Sequence, residues 1–163
     1  MKRYSWKYMA GLVDGEGCID MQGSVNKDNG VYYCRPRFRL TLSGPAGKFL
    51  IPQFIANYSG TWDGTKERQW DNPNWQTPYT WCLTGSTALR KFLQNIVNHT
   101  VIKQQQIRFA IWWLDNIGGK HVTDEVRRFG VDELKAMKKD PHRLSERAVA
   151  QIKSLFATDA IVR

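Results

Sequence analysis

Two acids stand between glycines in Asp14-Gly15-Glu16-Gly17, directly after a stripe in which Trp6, Met9, Ala10 and Val13 fall at i, i+3, i+4 and i+7. That spacing predicts a helix with one face in a core. Tyr8, Leu12 and Gly15, with Gly11 beside them, mark a second uncharged face, which predicts a helix buried on both sides. Glycines four apart in a short helix cost roughly 1 kcal/mol each against alanine, so Gly11 and Gly15 point to another backbone coming close. The helix is expected from about Ser5 to Val13, with residues 14–17 breaking it and aiming an acid out of its C-terminal end. A buried helix followed by a glycine-rich stop is the bland alternative, and it leaves the two acids unexplained.

A second chemical pattern lies in Arg35-Pro36-Arg37-Phe38-Arg39-Leu40-Thr41. Alternate residues of a strand share a face, so Arg35, Arg37, Arg39 and Thr41 project together while Phe38 and Leu40 enter the core. Such a row of guanidiniums repels itself unless something anionic lies on it. Asp20, Gln22 and Ser24 form the polar face of the preceding strand. Lys66 and Arg68 share a face of a third strand, and Thr80 and Cys82 a face of a fourth. Arginine can contact guanine bidentately, Gln can contact adenine, and Thr or Ser either, so this platform suits a duplex; some of these groups would hold phosphates only. Taken alone, the arginine segment reads equally well as a solvated edge strand whose charges block aggregation, a place that Pro36 also suits.

The formal net charge of +9 and the isoelectric point of about 9.6 put polyanions first among partners. A membrane surface would call for a basic amphipathic helix or a lipidation signal, and neither is found. The longest apolar run, Phe109 to Leu114, is too short to span a bilayer, and no signal peptide opens the chain. Cys18, Cys34 and Cys82 are odd in number, fit no zinc spacing and point to a reduced, intracellular setting without secretion. His99, His121 and His142 form no metal-ligand pattern. Gly118-Gly119-Lys120-His121 lacks the first glycine and the Ser/Thr of a phosphate-binding loop.

The elements that must position these groups read as α-β-β-α-β-β-α with further helix, an α+β chain. Strands are expected at Cys18 to about Ser24, Val31 to Leu42, Thr61 to Trp70 and Tyr79 to Thr84. Asn26, Asp28, Asn29 and Gly30 mark one turn, and Asp71-Asn72-Pro73-Asn74 another. Ser43-Gly44-Pro45 opens a helix reaching Asn57, with a kink or break expected at Pro52. Ser86 is expected to cap a helix carrying Leu89, Phe92, Leu93, Ile96 and Val97. Another helix starts near Lys103 with Ile107, Ala110, Ile111 and Leu114 inward. The chain is more polar beyond Gly118-Gly119, and a last helix from about Ser145 carries Val149, Ile152 and Phe156. One domain over residues 1–163 is expected, with a core of about 4–116 and a C-terminal helical part of about 120–160.

Met9-Ala10-Gly11-Leu12-Val13-Asp14-Gly15-Glu16-Gly17 resembles the LAGLIDADG motif of homing endonucleases, with Met at the first position, Gly at the seventh and Glu at the eighth. The resemblance implies the αββαββα fold of that family, its antiparallel sheet laid on DNA, with extra C-terminal helices here. It implies that Glu16 binds a catalytic Mg2+ (or Mn2+), with the Gly15 carbonyl as a further ligand; Asp14 is assigned local hydrogen bonding near the helix end instead. Ile102-Lys103-Gln104-Gln105-Gln106 resembles the family's lysine-glutamine segment, which puts Lys103 beside the attacking water. The family often has a polar or basic residue after the second strand; Gly44 lacks the side chain, and Lys48 is taken as its substitute. One motif per chain implies a homodimer joined through Tyr8, Gly11, Leu12 and Gly15. It also implies intron homing at a long, near-palindromic DNA site, cut on both strands to leave 3′ overhangs. An intron maturase with RNA as partner, or an inactive DNA-binding relative, would share the fold; Glu16 with Lys103 favours the enzyme. An unrelated basic RNA-binding protein would leave the Gly11/Gly15 helix unexplained.

Overall fold

The computed structural model describes residues 3–25, 28, 32–64, 76–118, 120 and 122–161. Its elements run α1 (Trp6–Glu16), β1 (Gly17–Val25), β2 (Tyr32–Ser43), α2 (Gly44–Tyr58), β3 (Thr61–Gly64), β4 (Pro78–Leu83), α3 (Ser86–Ile96), α4 (Gln104–Asn116), α5 (Asp124–Lys139) and α6 (Ser145–Ile161). The strands form one four-stranded sheet in the order β1-β2-β4-β3, each neighbouring pair antiparallel. The α+β class and the αββαββα order are as expected, with the helices beyond them.

α1 departs from its expected end. Ser5 caps it, its hydroxyl accepting from the Tyr8 amide at 3.2 Å, but the helix continues through Asp14, Gly15 and Glu16 and stops only at Gly17. Gly17 stops it by proximity. A Cβ there would lie 2.7 Å from the Val13 carbonyl oxygen and 2.9 Å from its Cα, so only glycine lets the chain turn directly from helix into β1. The acids therefore ride on the last helical turn and do not interrupt it. α2 also runs unbroken through Pro52, which is exposed on it. Ser86 is the first residue of α3, and Gly85 occupies the cap position.

The apolar sheet face and the helices close over an aromatic cluster. Trp81 is fully buried. Its ring packs edge-on against Phe38 at 5.4 Å and Phe92 at 5.1 Å, and tilted against Phe54 at 5.7 Å. Its indole N–H donates to the Ser59 carbonyl at 2.7 Å, which satisfies the one polar atom such a ring brings inside. Trp113 on α4 does the same, donating to the Cys34 carbonyl of β2 at 3.0 Å. Met9, Ala10 and Val13 of α1 and Leu89, Phe92, Leu93 and Ile96 of α3 fill the rest of this layer.

α5 falls inside the C-terminal helical part expected over about 120–160, in the polar stretch after Gly119 where the sequence set no bounds for it. It is capped by Thr123, whose hydroxyl accepts from the Val126 amide at 3.3 Å. Asp124 and Glu125 lie in its first turn and Lys138 and Lys139 in its last, a distribution that suits the helix dipole. Its buried stripe is Val126, Gly130, Leu134 and Met137 with Glu133; Gly130 sits so close to the Trp113 ring that a Cβ would meet it at 2.5 Å. Glu133 enters the interior because Arg143 closes on it with two hydrogen bonds, 2.8 and 2.6 Å. The expected turns at Asn26, Asn29, Gly30 and 71–74, and residues 65–70 of the expected third strand, lie outside the described residues.

Trp81→Ala removes the centre of the aromatic cluster, and a loss of about 3–5 kcal/mol is expected from urea unfolding. A loss below 1 kcal/mol would mean that the cluster does not carry the core.

Candidate active site and nucleic-acid interface

The end of α1 is held by bonds reaching across the chain. The Asp14 carboxylate accepts from the Val101 amide at 2.7 Å through Oδ2 and from the Lys103 amide at 3.0 Å through Oδ1. Lys103 returns the contact, its ammonium donating to the Asp14 carbonyl at 2.5 Å. Asp14 thus does hydrogen-bonding work, but over 87 to 89 residues and not locally. Lys103 is only 8 % exposed. Burial, helped by the like charge of Lys138, pushes its ammonium below the usual lysine value against the upward pull of Asp14, Cys18 and Glu16.

Glu16 projects from the final residue of α1 and is exposed. A helix leaves its last carbonyls without intrahelical donors, and its C-terminus carries partial negative charge. Here the Gly17 amide bonds the Val13 carbonyl and Lys103 bonds that of Asp14. The Glu16 carboxylate thus stands at the negative end of the helix, where a cation is favoured. Among the described residues no three His, Cys, Asp or Glu side chains gather into a metal-holding group.

The sheet register places the predicted contact residues on one face. Cys18, Asp20 and Gln22 lie opposite Arg39, Arg37 and Arg35; Arg39 lies opposite Cys82 and Thr41 opposite Thr80 on β4. Phe38 and Leu40 point inward as expected. The row of arginines is not unopposed. Asp20 accepts from Arg37 Nε at 2.9 Å, from Arg37 Nη2 at 3.1 Å and from Arg39 Nη2 at 2.6 Å. Burial pulls the Asp20 carboxyl upward, but the hydrogen bonds and charges of Arg37 and Arg39 outweigh it and hold the group below its ordinary value. The anion that the sequence demanded over this strand is in part supplied from within.

Thr41 and Thr80 share a hydrogen bond of 2.9 Å between their hydroxyls. Arg35 is exposed, whereas Cys82 is buried, and burial raises its thiol despite the nearby arginines. Lys48 is exposed near the start of α2. The side chain of Ser24 and the whole of Lys66 and Arg68 lie outside the described residues. At the β1 edge, a cleft of about 260 Å3 runs between the sheet and α5, lined by Cys18, Asp20, Arg39, Leu134, Lys135 and Lys138 among others.

The second face of α1 is open within one chain. A Cβ added to Gly11 or Gly15 would meet nothing within 4 Å, Tyr8 is 42 % exposed and Leu12 half-buried. Val101 and Ile102, held beside it by Asp14, are 83 % and 52 % exposed, and Phe49 on α2 is 67 % exposed. The sequence marked the α1 residues but missed the other three; the apolar pair directly before Lys103 was the signal available.

The whole fold is shared with solved structures. The homing endonuclease I-CvuI, in complex with the I-CreI target in 2 mM Mg with its DNA not cleaved, matches at TM-score 0.64 and 18 % identity, over 92 % of this chain and 93 % of that one. The homing endonuclease I-TnaI matches at TM-score 0.62 and 19 % identity, over 93 % and 99 %. The archaeal intron-encoded homing endonuclease I-Vdi141I, complexed with DNA, matches at TM-score 0.61 and 16 % identity, over 91 % and 94 %. No family model and no curated protein matches the sequence.

Asp14→Ala would strand the amides of Val101 and Lys103. A loss of about 1–3 kcal/mol is expected, with faster hydrogen exchange at both amides. Unchanged exchange there would show that the carboxylate does not hold this turn.

Proposed function

From this LAGLIDADG homing-endonuclease fold, we propose that the chain is a site-specific DNA endonuclease acting as a homodimer. It binds a long, near-palindromic duplex along the β1–β4 face and hydrolyses both strands with a divalent metal to leave 3′ overhangs. The observation that carries this reading is the end of α1, where exposed Glu16 ends the helix and buried Lys103 bonds the Asp14 carbonyl.

The donor set fits magnesium or manganese. These ions take oxygen ligands, and magnesium keeps several waters and is bound through one or two carboxylates plus substrate phosphates. One exposed carboxylate per chain, Glu16, with the Gly15 carbonyl, is such a partial set, and Asp14 is occupied with amides. A divalent ion there supplies Lewis-acid charge to phosphodiester oxygens. The residues of the chain do the rest. Asp14 fixes Lys103, whose ammonium sits as a cation near the charge that develops on the phosphate. Its burial excludes water from one side of that cation, and Arg37, Arg39 and Thr41 align the duplex over it.

The dimer reading draws on the open face of α1. Gly11 and Gly15 allow a second backbone to come near, and exposed Tyr8, Val101 and Ile102 supply apolar area that water otherwise covers. A two-fold pairing of this face sets two Glu16 residues side by side, one for each strand.

Glu16→Gln is expected to abolish cleavage in magnesium while leaving duplex binding within about threefold; cleavage at the wild-type rate would refute the metal assignment. Gly11→Leu should fold, because its side chain finds open space in the single chain, and should be monomeric by light scattering with no double-strand cleavage. A stable wild-type monomer that makes clean double-strand breaks would overturn the dimer.

A further inference from the structure

We propose that Asp20 is a positioning residue for sequence recognition: its carboxylate fixes Arg37 and Arg39 so that each presents one outward edge to the base pairs, and it touches no base itself. This rests on the DNA reading above and adds to it the device that sets specificity.

Three of the roughly four acceptor sites of the carboxylate are taken. Oδ1 accepts from Arg37 Nε, and Oδ2 accepts from Nη2 of both arginines. Asp20 is 28 % exposed at its side chain, and Arg37 and Arg39 are 24 % and 38 % exposed. A bare carboxylate on a duplex-binding face would repel phosphates, and one that read a base would turn an oxygen to the amino group of cytosine. Asp20 instead turns both oxygens to its arginine neighbours. Its charge is spent inside a triad that remains net positive.

The triad selects an edge of each guanidinium. Arg37 gives its Nε/Nη2 edge to Asp20, which leaves the Nη1/Nη2 end facing outward. Arg39 has its Nη2 on the same oxygen, while its Nε is buried without a hydrogen-bond partner; its side edge is closed, and only its terminal nitrogens remain to meet a base. A guanidinium end offers two parallel donors matched to O6 and N7 of guanine. Arginine side chains carry about 2 kcal/mol of rotamer entropy, and fixing them before binding lowers the ordering cost of association. The two arginines are two residues apart on β2, so one acid from β1 sets two neighbouring readers.

The test is selection of bound duplexes from a random library, with affinities at low and physiological salt. The variants are wild type, Asp20→Asn, Asp20→Glu, Arg37→Ala, Arg39→Ala and the Asp20→Asn/Arg37→Ala pair. Asp20→Asn should bind non-specific duplex several-fold more tightly at low salt. It should also lose roughly tenfold in preference at the base pairs that Arg37→Ala and Arg39→Ala blur. Asp20→Glu keeps the charge on a longer arm; it should retain wild-type non-specific affinity and lose the same preferences, and it carries the test should the asparagine variant fail to fold. In the Arg37→Ala background, Asp20→Asn should cost nothing more at the Arg37 position. Wild-type preferences in both Asp20 variants would overturn the inference, and so would a loss at a base pair that neither arginine variant affects. A wild type that enriches no duplex would fail at the earlier step and overturn the DNA reading itself.

Discussion

One carboxylate joins the two ends of the candidate active site. Asp14 belongs to α1, and the amides it accepts from belong to the turn before α4. The remaining geometry follows from that link. It sets Lys103 under the helix end, where the ammonium finds the Asp14 carbonyl, and it leaves Val101 and Ile102 exposed beside the open face of α1. It also takes Asp14 out of competition for a cation, so the helix presents a single acid, Glu16. A half-exposed clamp of this kind gains from charge-assisted hydrogen bonds to backbone amides, which are stronger than neutral ones.

The sheet divides the chemistry from the packing. Strand alternation sends Phe38 and Leu40 into the aromatic cluster around Trp81 and the arginines between them to the opposite face. Because the same strand does both jobs, its register is fixed by the core: a one-residue slip would drive guanidiniums among Phe92 and Trp81. The core thereby fixes which cross-strand partner each arginine meets.

Much of this was legible in the sequence, and the failures have identifiable causes. Period-two alternation in 35–41 and the 3.6-residue spacing of Leu89, Phe92, Leu93 and Ile96 each placed an element and its inward face correctly, because one-sided burial writes that pattern directly. The end of α1 was misjudged because glycine was read as a breaker, whereas Gly15 continues the helix and Gly17 ends it through contact with Val13. α5 lies in the expected C-terminal helical part, but its bounds were not legible because its apolar stripe is diluted by Glu133, a charge paired inside with Arg143 from beyond the helix. Asp14 bonds amides 87 and 89 residues away, and local spacing carries no record of so distant a turn.

The packing of α5 on β1 bears on how the chain is made. β1 is an edge strand of the sheet, and the helix that lies against it spans residues 124–139. During synthesis the strand emerges early and its cover late, since domains are built from the N-terminus at about 5–20 residues per second. For several seconds the nascent chain holds a strand edge whose unpaired amides and carbonyls can template pairing with a neighbour. Arg35, Arg37 and Arg39 are already in place on the adjoining strand through that interval. Charge beside a strand edge disfavours edge-to-edge pairing, so this row works against that hazard until α5 packs on β1.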